Sequence, residues 1–333
     1  MNNCSVAMIV KNKEDIPAWV FQELSHHNIQ LNARKCQSAA DFWETASDAE
    51  IIWMAGANRF ITPEVLPRLA QCGAILRTGS GVNDIPVDAA TQQGIIIATT
   101  PDAIAESVAE HTVALLLASV RRIPEQDRGT RSKIWNEGTF RPMHHLKGST
   151  LGLISFGRIA RRVAEMLSGF HLEILAYDPL LPDEFIQKYN VEPCSLKVLL
   201  QRSDFVSIHC PLNDKTRHLI SEKELHLMKP NAILLNTARG AIIDEKALIK
   251  VLQQGDIAAA ALDVLEEEPP QQDNPLLKMD NVILTPHIAA FSDQFEENYW
   301  KYSIETIIDL SRKRWPPSVV NPQLTPKWKM KNR

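Results

Sequence analysis

No Cys-x-x-Cys pair occurs in the 333 residues, and the five cysteines (Cys4, Cys36, Cys72, Cys194 and Cys210) stand far apart. That scatter argues against a disulfide framework or a cysteine zinc site and fits a reducing compartment; no metal site is expected. No long run of like charge is present and the formal net charge is only −4, so nothing favours a nucleic-acid or membrane surface. The basic tail PKWKMKNR is short and reads as a solvated end. The longest apolar helical run, HTVALLLASV, falls well short of the roughly 20 residues that span a bilayer. The N-terminus MNNCSVAMIVKNKED has no basic lead and too short an apolar run for a signal peptide. Neither a solenoid-period repeat nor a low-complexity segment is found. These absences predict a soluble, cytoplasmic chain of ordinary globular composition, 44% hydrophobic and 23% charged.

What is present is an alternation. At roughly 150 residues per domain the length predicts two domains, either large enough to bury its own core. SVAMIV, AEIIWMAG, GAILRTG and IIIATT read as strands. Between them IPAWVFQELSHH, TPEVLPRLAQ and VDAATQQG read as helices, with Pro63 well placed near the start of the second. Apolar runs alternating with helices predict a parallel sheet covered on both faces. A long helix, AESVAEHTVALLLASVRR, then leads to a looser segment holding Trp135 and the pair His144–His145. From residue 151, TLGLISF, LEILAYD, FVSIHCP, AILLNTA, IAAAALDV and NVILTP read as strands of a second doubly wound sheet. The final helix, DQFEENYWKYSIETIIDLSRKR, is expected to pack back on the first domain.

The stretch LGLISFGRIARRVAEML reads as a strand running through a turn into a helix. A dinucleotide turn there carries G-x-G-x-x-G: a glycine for the bend, one for close approach of the pyrophosphate, one for helix–strand packing. Here the three places hold Ser155, Gly157 and Ala160. Gly157 keeps the place where a side chain does most harm, Ala160 is the smallest intrusion, and Ser155 costs backbone strain. Alone, the turn suits a structural role as well as a cofactor. Asp178, about twenty residues on at the end of LEILAYD, tips the reading toward NAD, since a carboxylate there accepts from ribose hydroxyls and repels a 2′-phosphate. Its bland role is to cap the turn before Pro179.

Several segments together resemble the D-isomer-specific 2-hydroxyacid dehydrogenases: LKGSTLGLISFGRIARRVA, SDFVSIHCPLNDKTRHLI, MKPNAILLNTARGAIIDEKAL, ALDVLEEEPP and NVILTPHIAA. In the first domain GAILRTGSGVNDIPVDAATQQGI and TTPDAIAESVAEHTVALLLA match too, so the likeness runs from about residue 50 to 320. The resemblance implies two doubly wound α/β domains with an active site in the cleft between them. Residues 1–100 and 292–333 would form a flavodoxin-like substrate domain, and residues 101–291 a Rossmann-type NAD-binding domain. It implies catalytic roles for Arg239 in NTARG, Glu268 in EEEPP and His287 in TPHIA. A guanidinium fork suits the carboxylate and carbonyl of a 2-oxo acid. A histidine beside a carboxylate suits the proton donor that a hydride acceptor needs. Outside that resemblance, Arg239 would pass for a surface residue, His287 for a capping or interior one and Glu268 for a solvated one.

The same resemblance places Ser155, Phe156, Gly157, Arg158 and Ile159 around the pyrophosphate, and Asp178, Cys210, Pro211 and Thr216 near the adenosine. Thr237, Ala238 and Asp263 fall at the nicotinamide end, with Asp263 accepting from the carboxamide. Backbone N–H groups of Ser80, Gly81 and Val82 would meet the substrate carboxylate alongside Arg239. Cys210 reads as packing rather than as a reactive thiol. The implied reaction is NADH-dependent reduction of a small 2-oxo acid to a D-2-hydroxy acid by a homodimer. Its nearest branches are phosphoglycerate dehydrogenase-like and glyoxylate or hydroxypyruvate reductase-like enzymes. Phosphoglycerate enzymes place arginines in the turn after the strand matched by AEIIWMAG; this chain has only Arg59 there, out of place, and no room is expected for a C-terminal regulatory domain. The alternative is an NAD(H)-sensing corepressor on the same scaffold, disfavoured by the lack of a long disordered tail. Formate dehydrogenases carry glutamine where Glu268 stands.

Overall fold

The computed structural model describes residues 3–56, 58–135 and 144–331. The chain divides into two compact units, one of residues up to Ile104 together with those from Asp293, the other Ala105–Ser292. The looser segment expected between Trp135 and His144 lies outside the described residues. Among the described residues no helix is long and apolar enough to cross a membrane. None of their His, Cys, Asp and Glu side chains form a cluster that could hold a metal ion.

The first unit is built on five strands, β1 (Cys4–Met8), β2 (Ile29–Ala33), β3 (Ile51–Met54), β4 (Ala74–Arg77) and β5 (Ile96–Thr99). They pair in parallel in the order β2-β1-β3-β4-β5. β3 and β5 are buried at every residue, as strands covered on both faces must be. The final helix, Phe295–Ser311, buries Tyr299, Trp300, Ile304, Ile307 and Leu310 in the cluster that holds Val6, Met8 and Trp53. Trp53 and Trp300 meet edge to face, ring centroids 5.6 Å apart. The helix expected over TPEVLPRLAQ does not form; only a single 3₁₀ turn, Leu66–Arg68, is present. Pro67, which lacks an N–H and crowds the preceding turn, prevents the longer helix.

The second unit has seven strands: β6 (Thr150–Ile154), β7 (Glu173–Tyr177), β8 (Glu192–Pro193), β9 (Phe205–Ile208), β10 (Ile233–Asn236), β11 (Ala259–Leu262) and β12 (Val282–Leu284). Their order is β12-β11-β10-β9-β6-β7-β8, all parallel. The chain runs outward from β6 through β7 to β8, then returns to β9 on the other side of β6. That reversal is the switch point beyond whose strand ends ligands bind in open α/β sheets. The long helix Ala105–Val120 buries Val108, Ala109, Thr112, Leu115, Leu116 and Val120. Most of its apolar surface is therefore used inside its own unit.

Candidate active site

Arg239, Glu268 and His287 all lie beyond the C-terminal ends of three adjacent strands, β10, β11 and β12. Their loops are tied to one another. Gly240 is forced by close approach, since a Cβ there would lie 1.9 Å from the Leu265 carbonyl. The main-chain N–H of Leu265 in turn donates to Glu268 Oε1 at 3.1 Å. The His287 N–H donates to the carbonyl of Asp263 at 2.8 Å, joining the β12 loop to the β11 loop. Within this frame His287 Nδ1 stands 2.7 Å from Glu268 Oε2. A carboxylate only accepts, so Nδ1 carries the shared proton and Nε2 is the nitrogen left to exchange one. Both side chains reach solvent, His287 at 48% and Glu268 at 37%. Arg239 Nη1 donates to the neighbouring Ala238 carbonyl at 2.6 Å.

His287 occupies the left-handed region, φ 55°, where a non-glycine residue is strained. The carboxylate of Asp263, 1% exposed, holds that loop in place. Its Oδ1 accepts from Thr285 Oγ1 at 2.6 Å and Ile288 N at 3.0 Å, and Oδ2 accepts from Ala289 N at 2.9 Å. These three protein donors leave about one acceptor position on the Asp263 carboxylate, the one available for the carboxamide role expected of it.

The turn after β6 has the form that a dinucleotide requires. Gly157 caps the helix Arg158–Met166 with no side-chain bond, and a Cβ added to it would meet nothing within 4 Å. Uncapped N–H groups at a helix start, with open space before them, suit a pyrophosphate. Ala160 is fully buried where helix meets strand. Ser155 has φ 71°, the conformation for which a first glycine is normally chosen. Its Oγ donates to Asp178 Oδ2 at 3.0 Å. Phe156 N donates to the same oxygen at 2.9 Å, and Leu180 N donates to Oδ1 at 2.9 Å. Asp178 is half-buried, so its carboxylate is both anchored and open to solvent.

The remaining expected residues divide by what their side chains do. Phe156 is fully buried and edge-on to Tyr189, so only its main chain faces the turn. Arg158 is exposed and Ile159 half-buried on the same helix. Cys210 is core, and burial pushes its thiol up to about 11, which keeps it protonated and unreactive. Thr216 Oγ1 donates to the Pro211 carbonyl at 2.6 Å and accepts from Asn213 N, closing the loop after β9. Thr237 is buried with its hydroxyl 2.8 Å from that of Thr112. Ser80, Gly81 and Val82 lie in the first unit, on the turn after β4 that begins with Gly79 at φ 92°.

Three positioning residues were not foreseen. Asn236, fully buried at the end of β10, donates through Nδ2 to the Arg239 carbonyl at 2.9 Å and accepts from Ala238 N at 3.0 Å. Its signal was a polar residue closing an otherwise apolar strand, AILLN. Thr285 and His111 form the other link. Thr285 gives its hydroxyl proton to Asp263, so at 3.0 Å His111 Nε2 is the donor to Thr285 Oγ1. Nothing in the sequence marks that pairing across the unit.

Residues 113–289 match the D-isomer specific 2-hydroxyacid dehydrogenase NAD binding domain. A D-3-phosphoglycerate dehydrogenase of Methanocaldococcus jannaschii is 40% identical over 288 residues, 86% of this chain and 54% of that protein. The chain thus spans about half the length of that relative. A glyoxylate reductase of Korarchaeum cryptofilum is 39% identical over 268 residues, 79% of this chain and 80% of that protein. The solved structure of an Aquifex aeolicus D-lactate dehydrogenase complexed with NAD and lactic acid matches with a TM-score of 0.82 at 27% identity. That match covers 95% of this chain and 99% of the other. Similarity of this extent, over a doubly wound NAD-binding unit, settles the family: the chain belongs to the D-isomer specific 2-hydroxyacid dehydrogenases.

Proposed function

We propose that this chain reduces a small 2-oxo acid to a D-2-hydroxy acid with NADH, through Arg239, Glu268 and His287. The observation that carries the reading is the 2.7 Å contact of His287 Nδ1 with Glu268 Oε2, on loops tied to the one bearing Arg239. Bound at the β6 turn, NADH would supply the hydride. His287 would then give the Nε2 proton to the carbonyl oxygen as charge develops there. Glu268 orients the imidazole and balances its charge. Arg239 engages the substrate carboxylate, with the main chain of Ser80, Gly81 and Val82 proposed as further donors. Gly157, Arg158 and Ile159 would hold the pyrophosphate, and Asp178 the adenosine ribose.

The relatives include enzymes named for phosphorylated and for unphosphorylated substrates. Within the first unit, two arginines near the substrate turn are already engaged. Arg77 Nη1 contacts both Asp84 oxygens, at 3.1 and 2.9 Å, and the Gly56 carbonyl at 2.6 Å. Arg59 donates to the Gln37 carbonyl at 2.9 Å and lies over the Phe60 ring. Neither guanidinium is poised for a phosphate dianion, which favours an acid such as glyoxylate or hydroxypyruvate. The corepressor reading finds no support in these relatives. A panel of 2-oxo acids followed by NADH absorbance tests the proposal: turnover is expected with unphosphorylated acids, and NADH binding without any turnover would defeat it.

The proposed assembly is a homodimer. Support comes less from the long helix than from the stretch just after it, where Ile123, Ile134 and Trp135 are 54%, 57% and 84% exposed. Apolar groups left in water at this density are typical of a contact surface. Light scattering at micromolar concentration should give twice the chain mass; a monomer would contradict it. Five free thiols fit the proposed cytoplasmic location.

A further inference from the structure

Ser155 is the one departure in the dinucleotide turn with a bonding partner of its own. An L-residue at φ 71° is strained relative to glycine, and nothing in the bend itself demands a side chain. What the side chain adds is a hydrogen bond to Asp178 Oδ2 at 3.0 Å. A bond from a hydroxyl to a carboxylate is charge-assisted and among the stronger kinds. With Phe156 N and Leu180 N, it makes three donors on a group with about four acceptor positions. The carboxylate is thereby fixed in one orientation, with one acceptor position remaining. A glycine would leave two donors, both from the main chain, and a carboxylate freer to turn.

We propose that Ser155 is a positioning residue that sets the preference for NADH over NADPH, by pinning the Asp178 carboxylate where a 2′-phosphate would fall. The inference rests on the β6 turn being the dinucleotide site, as proposed above. A pinned anion cannot swing away from the phosphate, so repulsion is retained in full; a loosened one turns aside and admits it. Ser155 acts only through Asp178, and this separates it from a residue that touches the cofactor.

The test is fluorescence titration of the full chain with NADH and with NADPH, melting being followed in parallel. The proteins are wild type, S155A, S155G, D178A and S155G/D178A. Alanine keeps the backbone strain and glycine relieves it, so S155A should melt lower than S155G. Both should nevertheless lower the ratio Kd(NADPH)/Kd(NADH) by about fivefold to tenfold. On the D178A background, S155G should leave the ratio where D178A alone puts it. An unchanged ratio in S155A and S155G overturns the inference while leaving the site assignment intact. So does an equal fall on the D178A background, which would mean that Ser155 acts directly. Wild-type protein that binds neither nucleotide overturns the site assignment and this inference together.

Discussion

Two loops of the NAD-binding unit solve the same problem in different surroundings. In the turn after β6, Ser155 sits at φ 71°; in the loop after β12, His287 sits at φ 55°. Neither is glycine, and each is held by a carboxylate that accepts one hydroxyl and two main-chain N–H groups. Asp178 takes Ser155 Oγ, Phe156 N and Leu180 N, whereas Asp263 takes Thr285 Oγ1, Ile288 N and Ala289 N. The difference is exposure. Asp263 is 1% exposed, while Asp178 is half-buried and open to solvent. One carboxylate holds the loop of the proposed proton donor still, and the other holds the turn proposed for the cofactor. Strained backbone persists at a site only where its surroundings over-determine it, and here one acidic side chain does so in each of the two loops.

If the comparison is right, the two aspartates respond differently to the same change. D263N keeps the shape but turns one acceptor into a donor facing buried N–H or O–H groups. It should cost about 2 kcal/mol or more of stability, seen as a lower melting temperature, and kcat should fall as the His287 loop loosens. D178N should cost about 1 kcal/mol or less, since water can reach the group, and its main effect should be weaker discrimination against NADPH. Equal losses of stability in the two variants would break the distinction between them. A smaller effect sharpens the picture of the His287 loop. E268Q retains a partner for Nδ1 but removes the charge 2.7 Å from it. With that counter-charge gone, kcat for reduction should fall, though by less than in H287A, because the donor keeps its orientation but loses its balancing charge. A kcat equal to the wild type would show that Glu268 and His287 are not coupled.

Much of the scaffold was legible because it is written in apolar runs. AILLN, FVSI and IIWM are buried at every residue, and their alternation with helices fixes two parallel sheets. β8 escaped notice because a two-residue Glu-Pro strand has no such run. The helix wrongly expected at TPEVLPRLAQ shows the cost of weighing Pro63 and overlooking Pro67. The site was legible only as residue types in order. Ser155 read as a flawed glycine, since its value lies in a bond made by a residue 23 positions later. The part Asp263 plays in holding the His287 loop was not legible, since its three donors come from a loop whose course the sequence does not disclose. Asn236 and His111 went unnoticed for the same reason: each acts through a main-chain or hydroxyl group brought near by the fold.

The central claim is that His287, oriented by Glu268, donates the proton in reduction of a 2-oxo acid. The most direct measurement is the kcat of NADH oxidation with glyoxylate for wild type and H287A, with folding and NADH binding checked on both. Because His287 is 48% exposed, the variant should fold and bind NADH as the wild type does. Its kcat should be lower by roughly a hundredfold or more. A variant that binds NADH and turns over glyoxylate at the wild-type rate would contradict the account.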